Sequence, residues 1–109
     1  MALDATKLAE KMFAAFELSL IDQWPAVRDY AEAEAKKIAE SLVMIEKLML
    51  TGQINEEQAK LHFQIQQNAT RMVLLTIEGL GIIAVERAIN AALEVLKDTV
   101  NKSLDFTLL

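Results

Sequence analysis

The chain has 109 residues, 53% of them hydrophobic and 25% charged, with 3 glycines, 1 proline and no cysteine. That length holds one domain with one modest core, and so little Gly and Pro excludes a disordered or fibrous chain. A net charge of −5 disfavours nucleic acid and anionic membrane surfaces as partners, and without Cys there are no disulfides, thiolate metal sites or thiol nucleophiles.

In chain order, residues 1–11, MALDATKLAEK, show no basic stretch followed by an apolar run, so no signal peptide is expected. Apolar or small side chains then recur at Ala9, Phe13, Phe16, Leu20, Trp24, Val27, Ala31, Ala35, Ile38, Leu42, Ile45 and Met49. Their mean step is about 3.6 residues, the period of an α-helix. The densest basic pair, Lys36 and Lys37, sits among Glu32, Glu34 and Glu40 and reads as a solvated helix face. The phase passes unbroken through Trp24 and Pro25. Proline removes one backbone hydrogen bond and crowds the carbonyl four residues back. This predicts a kink, not a reversal, because no linker residues are present. The reading is two nearly collinear helices, about 4–23 and about 25–51.

A turn at 52–54 follows. Gly52 suits the left-handed position past a helix end, and Asn55 with Gln58 makes a capping box, with Glu56 and Glu57 in the first turn. From there one helix is expected over about 55–102, with an apolar tail at 103–109. Its seam, Leu61, Ile65, Asn68, Met72, Leu75, Gly79, Ile82, Glu86, Ile89, Leu93, Leu96 and Val100, alternates steps of four and three, the heptad spacing. A second stripe runs through Leu74, Ile77, Gly81, Ala84 or Val85, Ala88, Ala92 and Val95. Residues 72–96 are the most apolar stretch but include Glu78, Glu86, Arg87, Asn90 and Glu94, too many polar groups for a membrane span of about 20 residues. A cytoplasmic protein is the default expectation.

The two arms are equal in length, which implies an all-α fold: a long antiparallel helical hairpin, its first arm kinked at Pro25. Facing residues then have numbers summing to about 107, which sets Pro25 opposite the Gly79 and Gly81 segment. Candidate inter-helix ion pairs join Arg28 to Glu78, and Arg87 to Glu17 or Asp22. One hairpin cannot cover its second stripe together with Phe13, Phe16 and Trp24. Two hairpins pairing into a four-helix bundle would, so a homodimer is favoured over one chain folded back into a compact bundle. The candidate interface is Phe13, Phe16, Leu20, Trp24, Asn68, Gly79, Gly81, Ile82 and Ala88.

Chemistry-bearing motifs are weak. The glycines of TIEGLGIIAVER lack the third glycine and the preceding strand of a dinucleotide loop, and no Gly-Lys-Ser/Thr exists for a P-loop. They read as a close-packing seam and flex point. A di-iron bundle needs Glu-x-x-His, but the only histidine, His62, has Ala59 at that spacing. Glu78 and Glu86 lack a nucleophile or second base nearby in sequence. No catalytic, cofactor or metal residue is therefore assigned. The expected function is a non-enzymatic helical oligomerisation or adaptor protein. The alternatives are a chaperone-like bundle that binds a partner's amphipathic helix, or a bundle holding a small apolar ligand near Pro25 and Gly79/Gly81. A polar residue at a seam position fixes register at a cost in stability. Asn68→Leu should therefore raise the melting temperature and broaden the distribution of assembled species. A lower melting temperature with an unchanged mass distribution, read by calorimetry and light scattering, removes Asn68 from that role.

Overall fold

A computed structural model describes residues 3–109, and among these the chain is all-helical, without a strand. Five helices, α1 (Ala5–Ser19), α2 (Trp24–Leu50), α3 (Glu56–Leu75), α4 (Ile82–Glu94) and α5 (Lys97–Leu104), pack around one core. Asp4 starts α1 by accepting the Lys7 N–H at 3.2 Å, as an N-cap should.

The first departure from the sequence reading comes at Leu20. The arms are not collinear through Pro25: α1 folds back and packs along α2. The reversal uses a single 3-10 turn, Ile21–Gln23, bracketed by the Leu20 N–H on the Phe16 carbonyl and the Gln23 N–H on the Leu20 carbonyl. Pro25 therefore sits in the first turn of α2, where its missing N–H costs nothing, and makes no kink inside a helix. An apolar stripe tells which side of each helix is wet. It does not tell whether the axis continues, because two antiparallel helices sharing a core keep the same phase. The long dimension is 43 Å, set by α2, against the roughly 70 Å of a straight 48-residue arm.

The turn between α2 and α3 forms as its residues predict. Gly52 takes φ +72°, its N–H reaches the Met49 carbonyl, and the Gln53 N–H reaches Leu48 at 2.9 Å, a Schellman ending. Asn55 and Gln58 exchange hydrogen bonds of 2.8 and 2.9 Å. α3 then lies against α2.

The second departure is at Gly79 and Gly81. Where one helix was expected over 55–102, α3, α4 and α5 form instead. Thr76 ends α3 with its hydroxyl on the Val73 carbonyl at 2.6 Å. Residues 77–80 make a β-turn, closed by the Leu80 N–H on Ile77 and turned at Gly79, whose φ of +86° a side chain would strain. Buried Ile77 and Leu80 anchor this turn, and Gly81 is the N-cap of α4. Neither glycine is a packing seam, since a Cβ at either would meet nothing within 4 Å. α4 then packs on α1 and α3, and α5 on α2. The tail folds onto the core through Phe106, Leu108 and Leu109, with the Leu108 and Leu109 N–H groups both on Asn101 Oδ1 at 2.9 Å.

The two glycines thus act by different means and predict different mutants. Gly79→Ala should cost about 1–2 kcal/mol, the left-handed penalty for an L-residue. Gly81→Ser should stabilise by a few tenths of a kcal/mol, because it gives α4 the side-chain cap it lacks. Urea denaturation of both variants checks the pair; equal effects would mean the turn geometry is misassigned.

Candidate functional site

α3 has two apolar faces, and the chain covers only one. Ala59, Phe63, Thr70 and Leu74 turn inward and are buried. Leu61, Ile65, Met72 and Leu75 turn outward and stay 60%, 70%, 69% and 37% exposed. Side chains of this size in a continuous row are rarely left in water unless something docks there. Met44 of α2 flanks Ile65 and His62 across a shallow groove, and Ile82 and Ile83 lie exposed at the start of α4.

Asn68 breaks the row at its midpoint and is exposed. Its Oδ1 accepts from Gln64 Nε2 at 3.0 Å and from Arg71 Nη1 at 2.6 Å. Arg71 in turn makes a bidentate pair with Glu86 of α4, through Nε and through Nη2 at 3.2 Å. This polar ladder fixes the side chains at the centre of the face and ties α4 to α3. Glu86, a member of the expected seam, is thus tied to α3 through Arg71.

The other expected residues separate. Phe16, Leu20 and Ala88 are buried in the chain's own core, which removes them from any surface. Phe13 and Trp24 stack edge-on, ring centroids 5.2 Å apart, with the Arg28 guanidinium 5.9 Å from the Phe13 ring. Arg28 pairs at 3.7 Å with exposed Asp29 and not with Glu78, since α1, folded over α2, offers it the Phe13 face. Among the described residues Arg87, Glu78, Glu17 and Asp22 form no ion pair. The pairing register between the arms is also shifted, with Glu34 meeting Thr70.

Two buried carboxylates were not singled out from the sequence. Glu34, 2% exposed, accepts from Thr70 Oγ1 at 2.9 Å and Lys37 Nζ at 3.1 Å and joins α2 to α3. Glu46, 4% exposed, accepts the Leu3 N–H at 2.8 Å and the Ser103 hydroxyl, holding the N-terminal segment and α5 on α2. The one available signal was position: each flanks the apolar stripe of α2, one residue from Ala35 or Ile45. Both bind only groups of the fold.

Two further grooves open on the surface. One, between α1 and α2, is floored by Ala5, Ala9 and Ala35. The other, between α1 and α4, is lined by Ala14, Leu18, Ala91 and Val95. Neither reaches Pro25, Gly79 or Gly81. Among the described residues no three of His, Asp and Glu gather as a metal site, and no helix is long and apolar enough to cross a membrane. No protein-family model, curated protein or solved structure matches this chain.

Removing an acceptor strands its donors. Glu46→Ala should cost about 1–3 kcal/mol by leaving the Leu3 N–H and the Ser103 hydroxyl unpaired. Glu46→Gln should cost less, because its carbonyl can keep the amide while its NH2 donates to the serine. Equal denaturation midpoints for Glu46→Ala and the parent would show that this carboxylate fastens nothing.

Proposed function

We infer that this protein is a non-enzymatic helical interaction module, working by oligomerisation or as an adaptor, with the outer face of α3 as its docking surface. The observation that carries the reading is the row Leu61, Ile65, Met72 and Leu75, large apolar side chains left in water along one helix. What argues against an enzyme is the use of the acidic groups: Glu34, Glu46 and Glu86 are engaged in holding helices together. The dimer expected from the sequence enters here in altered form. α1 and α4 already occupy the place of a second hairpin, so a partner would add to a finished fold instead of completing it.

Magnitudes set the strength of such docking. Full burial of a Leu, Ile or Met side chain is worth about 1.5–3 kcal/mol, and these are between 37% and 70% exposed. The four together offer on the order of 4–7 kcal/mol gross, against an association cost estimated at about 4–15 kcal/mol. The row alone gives weak binding. Met44, Ile82 and Ile83 have to join it for a stable complex.

A second reading keeps the bundle monomeric and binds a foreign amphipathic helix or a small apolar ligand. The groove between α1 and α4 favours it, where Leu18 and Val95 are 80% and 46% exposed and the buried Ser19 hydroxyl has no hydrogen-bond partner among the described residues. Exposed positions let the two readings be separated without unfolding the chain. Ile65→Asp combined with Met72→Asp should abolish association at unchanged helicity and melting temperature, read by sedimentation and circular dichroism. Association that survives the double substitution, yet is lost in Leu18→Asp, would move the surface to the α1–α4 groove.

A further inference from the structure

We propose that the occupant of the α3 face is a second copy of this chain, docked antiparallel so that a two-fold axis passes beside Asn68. This rests on the reading of α3 as a docking surface and adds the partner, its direction and its register.

The face is complementary to itself when turned end for end. Leu61, Ile65, Asn68, Met72 and Leu75 alternate steps of four and three, the spacing at which two helices interlock along a seam. Asn68 is the middle member. Rotation about that point sets Leu61 of one copy against Leu75 of the other, and Ile65 against Met72. Large apolar side chains meet large apolar side chains, and the polar position meets itself.

Hydrogen-bonding capacity follows the same symmetry. Asn68 Oδ1 is taken by Gln64 and Arg71, which leaves its NH2 group without a protein acceptor among the described residues. Gln64 spends its NH2 on Asn68, leaving its Oε1 without a protein donor there. Antiparallel docking brings Asn68 of each copy within a turn of Gln64 of the other, so the spare donor and spare acceptor meet twice. Charge agrees. Lys60 of one copy comes opposite Thr76 at the end of α3 of the other, two residues before Glu78; both Lys60 and Glu78 are exposed and without an ion pair among the described residues. Parallel docking would instead set Arg71 beside Arg71 and the acidic first turn, Glu56 and Glu57, beside its own copy, with the helix dipoles aligned.

Size predicts a reversible dimer. α3 has 20 residues, so its seam is about 30 Å long, and at about 10 Å wide it covers roughly 600 Å² over both copies. Standard interfaces bury about 1,200–2,000 Å². Met44 beside Ile65, with Ile82 and Ile83 on the turn before Glu86, widens the contact without bringing it to the obligate class. Dimer should build up between about 1 and 100 µM.

The chain has no cysteine, so introduced ones report position cleanly. Helices packed about 8–10 Å apart bring facing Cα atoms into the roughly 4.4–6.8 Å window of a disulfide. Under copper–phenanthroline oxidation at tens of µM, Asn68→Cys should link to itself. Leu61→Cys alone should not, while an equimolar mixture of Leu61→Cys and Leu75→Cys should give the mixed dimer. Adding Ile65→Asp to Asn68→Cys should reduce linking at least tenfold, which separates docking from collision. Circular dichroism of each variant should match the parent, since every site is exposed. A dimer seen by light scattering that Ile65→Asp disrupts, but Asn68→Cys does not link, overturns the register and leaves the docking surface standing. A chain monomeric at 100 µM overturns the second copy as occupant. A dimer indifferent to Ile65→Asp overturns both this proposal and the reading beneath it.

Discussion

α2 carries a neighbour on each flank, and its small side chains decide how closely those neighbours can lie. Its buried face runs Val27, Ala31, Ala35, Ile38, Ala39, Leu42 and Ile45. Ala35 lines a groove with Ala5 and Ala9 of α1, so small side chains lie on both helices along that flank. On the other flank, Glu34 and Thr70 make the polar tie to α3. α4 then fills the space left between α1 and α3 with Val85, Ala88, Ile89 and Ala92, all buried. Every later element takes its position from the 27-residue α2, which alone spans the long dimension of the molecule.

Because the chain covers its own core, folding and docking can be separate events. An obligate dimer would leave Phe16, Leu20 or Ala88 open to the partner, and here all three are buried. Among the apolar side chains left outside, those on α3 form a row interrupted by an amide already held by Gln64 and Arg71. A partner arriving at that stripe finds side chains restrained before it docks, which lowers the entropy lost on binding.

Local chemistry in this sequence was readable and long-range direction was not. Gly52, Asn55 and Gln58 specify their turn through contacts within a few residues, and the turn forms as those contacts require. The heptad row on α3 was legible as a row, but the packing role expected of it was not met within the chain: Leu61, Ile65 and Met72 stay exposed while Ala59, Phe63 and Leu74 are buried. The reversals at Leu20 and Gly79 escaped notice for opposite reasons. At Leu20 the turn uses Ile, Asp and Gln, which carry no turn signature, and the apolar phase runs through it undisturbed. At Gly79 the signal was present, but a continuous heptad reading treated two glycines as small residues in a seam, when one supplies a positive φ and the other caps a helix. The expected ion pairs failed with the register, since Arg28 turned to Phe13 and Asp29, while Arg87, Glu78, Glu17 and Asp22 form no ion pair among the described residues. Glu34 and Glu46 were hidden because a carboxylate beside an apolar stripe looks like surface until its donors arrive from residues 36 and 57 positions away.

Glu46 brings the segment before α1 and the last helix to one side chain, since one carboxylate oxygen holds the Leu3 amide and the other the Ser103 hydroxyl. Topologically the molecule is close to a ring. From Leu3 round to Ser103 the contacts return to the same carboxylate on α2. Their closeness makes the two segments one cooperative unit: if α5 lifts from α2, the carboxylate loses a donor and the N-terminal segment loses its most constrained neighbour.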